Sequence, residues 1–140
     1  MPRFGDLESF ENAVSAFVGD EEKAGADRWA ALSYSPKHAE AEVHLHEKGR
    51  QSPVEIWTLA APELTALSAA IAEKYRTDGH FRIVRSYNHW SLSYGPCWYY
   101  GGAGYSLARL IADETNEINR LPADWEPMSA EEIIKMMTED

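Results

Sequence analysis

The chain has 140 residues, 44% of them hydrophobic and 26% charged, which excludes wholesale disorder and a fibrous repeat and suits one domain, 1–140, with a core that needs no disulfide or metal. Its net charge of -10 sits at the two ends: seven acids face two bases in residues 1–27 and nine face two in residues 113–140, while the middle holds seven acids and nine bases. Such a field disfavours nucleic acid and anionic membrane as direct partners, and no stretch approaches the roughly 18 consecutive apolar residues of a membrane span.

Leu7, Phe10, Val14 and Phe17 recur at helical spacing and predict a first helix, capped by Asp6 and ended by Gly19. Residues 20–27 have no apolar period and read as a solvated loop. Trp29 to Tyr34 reads as a short strand followed by the turn Ser35-Pro36-Lys37. From Glu42 to Glu47 apolar and polar residues alternate strictly, which predicts a half-buried strand with Glu42, His44 and His46 on one face. Val54 to Leu59, β-branched and aromatic, is the next strand. Pro62 opens a second helix whose inward stripe is Leu64, Leu67, Ile71 and Tyr75, with Asp78-Gly79 as its stop. His80 to Tyr87 and Trp90 to Tyr94 read as a hairpin turning at Asn88-His89. Leu107, Leu110, Ile111, Ile118 and Leu121 mark a third helix closed by Pro122. A fourth starts at a capping box, Ser129 with Glu132, across which Met128 staples to Ile133. The expected class is α+β: an antiparallel meander sheet of about four to five strands with about three to four helices packed mainly on one face.

Residues 87–105 hold seven of the sixteen aromatics, four of the nine glycines and the one cysteine, Cys97. Rigid amphipathic rings among glycines are the composition of a binding surface, so Trp90, Tyr94, Trp98, Tyr99, Tyr100 and Tyr105 are the candidate aromatic contacts. The plainer reading is that these rings fill the core and the glycines turn the chain before the third helix. Amides at a helix start attract anions, which makes Gly102, Gly104 and Ser106, in and beside the Gly101–Gly104 loop, a candidate anion site. Tyr99 to Gly104 partly resembles the pyrophosphate loop of the GNAT acyltransferases, Gln/Arg-x-x-Gly-x-Gly/Ala, with Tyr99 where that motif has Gln or Arg. The resemblance implies further strands after the helix, whereas residues 105–140 read as helix, Pro-rich link and acidic helix, so that assignment is not adopted.

His44 and His46 share a strand face and are weak metal candidates, but no second ligand pair stands at a zinc-like spacing, so no metal or cofactor is assigned. Cys97 reads as a small packed residue, since no neighbour is identified that would activate its thiol. Arg82 and Arg85, three apart on a strand, point to opposite faces and make no phosphate-binding patch. A lone cysteine and the absence of an apolar leader after Met1 place the expected compartment in the reducing cytosol.

Two function classes follow. The first is a small acidic protein-binding module without catalytic residues, an inhibitor resembling immunity proteins or phage anti-defence proteins in composition only, acting on a basic nuclease or nucleic-acid-binding complex. Its acidic contacts would be Asp113, Glu117, Glu131, Glu132, Glu139 and Asp140. The second is a small enzyme or ligand-binding domain with an aromatic pocket beside the Gly101–Gly104 loop. Acidic ends and aromatic segment on one side of the fold would make a single binding face; on opposite sides, the charge would serve solubility.

Overall fold

The computed structural model describes residues 2–19, 27–38, 40–95, 97–127 and 129–138. Met128, Glu139 and Asp140 lie outside these, and so do the predicted staple, two of the proposed acidic contacts and most of the 20–27 loop. In chain order the elements are β1 (Arg3–Phe4), α1 (Leu7–Val18), β2 (Arg28–Tyr34), a 3-10 turn (Pro36–His38), β3 (Ala41–Glu47), β4 (Glu55–Leu59) and α2 (Pro62–Tyr75). They continue with β5 (Phe81–Ser86), β6 (His89–Tyr94), β7 (Cys97–Ala103), α3 (Leu107–Asn119) and α4 (Ala130–Thr138).

The α+β class holds, but the sheet has seven strands in the order β1-β4-β3-β2-β5-β6-β7, more than the four to five expected. Two three-stranded meanders, β2-β3-β4 and β5-β6-β7, are joined by antiparallel pairing of β2 with β5. Helix α2 makes the crossover between them, and β1 adds to the β4 edge in parallel. The two strands absent from the expectation have local causes. β1 is only two residues long, too short for any period to show. β7 is broken by glycines because it carries a bulge: between the pairs Ser91↔Tyr100 and His89↔Ala103 it spends one residue more than β6. Gly102, at φ 80°, supplies the left-handed backbone there, and at Gly101 a Cβ would stand 3.0 Å from the Tyr105 ring. The hairpin before it turns at Tyr87-Asn88, one residue earlier than expected, with Tyr87 at φ 55°.

Helices α1, α2 and α3 cover one face of the sheet. Phe10 and Val14 of α1, Leu64, Leu67 and Ile71 of α2, and Leu107, Leu110 and Ile118 of α3 are buried in one core with Leu32, Val43, Leu45, Leu59, Phe81, Ile83, Trp90 and Leu92 of the strands. The predicted caps at Asp6 and Ser129 form, and Ser106, expected to take part in an anion site, caps α3 as well. Asp6 accepts from Ser9 N at 2.8 Å, Ser106 Oγ from Arg109 N at 3.1 Å, and Ser129 Oγ from Glu132 N at 3.2 Å. Helix α4 differs from the other three in burying no side chain among its described residues. No described helix is long and apolar enough to cross a membrane.

Candidate functional site

Among the described residues no helix covers the opposite face of the sheet, and the strand register sorts its side chains into transverse rows. One row runs Thr58, Glu42, Ser33, Arg82, Ser93, Trp98, and the next Ile56, His44, Ala31, Val84, Ser91, Tyr100. A third runs His46, Trp29, Ser86, His89. With strands about 4.8 Å apart, the six columns from β4 to β7 span about 24 Å. Small residues fill much of β2, β5 and β6 on this face, and the rings form two groups, Trp98 and Tyr100 on β7 with His89 beside them, and His44, His46 and Trp29 on β3 and β2.

On the β7 side, Trp98 is 67% and Tyr100 47% exposed, fractions at which neither ring belongs to the core. Their ring centroids lie 5.9 Å apart, near-parallel, and His89 stands 4.7 Å from Tyr100. On the other side His46 stacks on Trp29 at 5.3 Å, and His44 Nε2 meets Glu42 Oε1 at 2.5 Å. Arg82, on β5 between the two ring groups, is exposed and forms no ion pair among the described residues, whereas Arg85 points inward, its guanidinium 5.2 Å over the buried Trp90 ring. Trp, Tyr and Arg are the residue types that dominate binding energy at protein interfaces, and all three occur on this face.

Burial lowers the pKa of His46, with His44 and Arg82 adding to the effect, and burial with Arg85 nearby lowers His89. Both rings therefore favour the neutral form in the folded state. The unfolded chain, whose histidines titrate near about 6.5, takes up protons first as pH falls, so stability is lost from that value down to the folded pKa. The thermal midpoint is expected to drop between about pH 7.5 and about pH 5.5, and less steeply in a His46→Gln, His89→Gln variant. Equal slopes in variant and parent would contradict this.

The six aromatic candidates divide between the layers. Trp98 and Tyr100 stand on the open face; Trp90 and Tyr94 are buried in the core, and Tyr99 and Tyr105 pack against it from the helical side. The Tyr94 hydroxyl donates to the buried Glu114 at 2.5 Å, and its pKa is pushed strongly upward, by burial first and then by that hydrogen bond. The acidic candidates lie with the helices. Asp113 accepts from the Tyr105 hydroxyl and pairs with Arg109 at 3.7 Å, while Glu117, Glu131 and Glu132 are exposed. Aromatic face and acidic helices thus occupy opposite layers and do not merge into one contact surface.

Several amides around the expected anion site have partners within the chain, Gly104 N donating to Asn88 O at 2.9 Å. Gly102 belongs to the β7 bulge, Ser106 caps α3, and the Leu107 amide donates at 2.6 Å to Glu11 Oε2, which also accepts Trp90 Nε1 at 3.0 Å. The carboxylate at this helix start is the chain's own. His44 and His46 face the same way with rings 6.0 Å apart, and among the described residues no three His, Cys, Asp or Glu side chains converge as metal ligands.

Trp29, Arg82 and His89 were missed as members of one site: His89 is expected in a turn, although it is the first residue of β6, and no common face is expected for Trp29 and Arg82. What was missing was the long-range pairing that aligns them. No known protein family, curated protein or solved structure matches this chain.

Proposed function

We propose that this protein is a binding module of inhibitor type that engages another protein through the open face of its sheet, with Trp98, Tyr100 and Arg82 as the principal contacts. One observation carries the reading: two large rings stacked and exposed on a face that no other element among the described residues covers. Large, rigid rings lose little conformational entropy on contact, and Trp and Tyr next to an exposed Arg give the composition of an interface centre.

The charge has a separate part. The face is near-neutral, with Glu42 in the same row as Arg82 and His46 and His89 favouring the neutral form, so affinity is assigned to the face and not to the acids. Lying off the contact face, the acids keep the protein soluble, and beyond that part the net charge of -10 acts at longer range and favours association with a basic protein, for which a nuclease or nucleic-acid-binding complex of immunity or anti-defence systems is the fitting class.

The test compares capture from the native lysate by the parent protein and by a Trp98→Ala, Tyr100→Ala variant at matched folded concentration. The protein retained by the parent is expected to be lost from the variant. Equal retention by both would overturn the assignment of the contact face.

A further inference from the structure

On the helical side, at the opposite end of β7 from its glycine bulge, lies a cleft of about 730 Å³ between the body of the domain and α4. We propose that this cleft is a binding site for a small, largely apolar aromatic molecule that is neutral or cationic.

The body supplies a wall of rings. Tyr75 stands edge-on to both Tyr94 and Trp125, with centroids 5.2 and 5.1 Å apart and interplanar angles of 68° and 70°. Edge-to-face rings of this kind leave faces and edges available to a further flat ring. The facing wall is α4, whose Ile133, Met136 and Met137 recur at the helical spacing of three and four and all line the cleft. Helices packed directly on one another bury their contact residues at interaxial distances of about 8–10 Å. Helix α4 does not do this: Met136 is 64% and Met137 81% exposed, so the helix stands off the wall and leaves an apolar gap.

A gap of this size falls within the roughly 300–1,000 Å³ that holds a drug-sized ligand, and flexible thioethers adapt to the shape of what enters. The charge of the occupant follows from the rim. Asp78 lines the cleft beside Thr77 and His80, with Oδ1 accepting from His80 N at 3.0 Å, and the chain as a whole is strongly acidic. An anionic ligand would therefore be repelled on entry, while an amine would be favoured. The site is independent of the open sheet face and survives the failure of the proposed function.

The test uses two fluorescent probes that share one apolar skeleton, neutral N-phenyl-1-naphthylamine and its anionic relative 8-anilinonaphthalene-1-sulfonate. The neutral probe is expected to bind saturably at one site per chain with a micromolar dissociation constant, and the sulfonate at least tenfold more weakly. Asp78→Asn, which keeps the acceptor for His80 N, narrows that difference. A Met136→Glu, Met137→Glu variant, altered only at exposed positions, is expected to bind the neutral probe at least tenfold more weakly with an unchanged thermal midpoint. Non-saturable binding, or an affinity untouched by the double variant, would overturn the site; a sulfonate bound as tightly as the neutral probe would overturn the charge preference.

Discussion

Replacing Glu11 with alanine is expected to cost about 3 kcal/mol of stability, with Glu11→Gln recovering at least half of it. The side chain comes from α1, and its Oε2 accepts both from Trp90 Nε1 on β6 at 3.0 Å and from the first amide of α3 at 2.6 Å. Trp90 is 1% exposed and Leu107 not exposed at all, so alanine strands two donors where water has poor access. An unsatisfied buried donor costs about 1–3 kcal/mol, and a negative charge at a helix start adds a favourable interaction with the helix dipole. Glutamine keeps an acceptor of the same length and loses only the charge. Urea denaturation of the three proteins decides the point: a glutamine variant as unstable as the alanine variant would show that charge, and not hydrogen-bond satisfaction, holds the three elements together.

The second large effect concerns binding. Trp98→Ala is expected to raise the dissociation rate of the captured complex by roughly 30-fold, the equivalent of about 2 kcal/mol for an interface centre, with little change in the association rate. Tyr100→Ala follows in the same direction, and because the two rings stack at 5.9 Å their effects combine non-additively. Neither substitution removes a buried group, so thermal stability is expected to stay within about 1 kcal/mol of the parent. Neutralising Glu117, Glu131 and Glu132 together should give the converse pattern, slower association at low salt with dissociation unchanged, because these acids lie off the contact face. Surface-plasmon or stopped-flow kinetics at two salt concentrations separate the patterns, and a faster dissociation in the acidic variant would place the acids in the contact.

The elements were legible wherever one periodicity ran undisturbed. The stripe from Leu7 to Val14 in α1, the caps at Asp6 and Ser129, Pro62 at the start of α2, and the alternation in β3 all reappear in the structure. β7 was not legible, because the same glycines that permit its bulge erase its alternation. The candidate site was half visible. The aromatic segment stood out by composition, but composition gives no direction. Tyr94 pairs with Cys97 across a short turn, so even-numbered positions point inward on β6 and outward on β7; Trp90 and Tyr94 enter the core while Trp98 and Tyr100 leave it. Pairing of β2 with β5, which brings Trp29 and Arg82 onto the same face, joins residues 47 to 57 apart in the chain and leaves no local trace. The cleft was hidden for a related reason: the capping box announces α4 but says nothing about where it docks.

Hydroxyl-radical footprinting of the protein bound to its captured partner tests the central claim most directly, since Trp, Tyr, His and Met are read at the side chain. Protection is predicted at Trp98, Tyr100, Trp29 and His46, with Met136 and Met137 as reactive as in the free protein. Protection of α4 and the acidic helices, with Trp98 and Tyr100 still reactive, would contradict it.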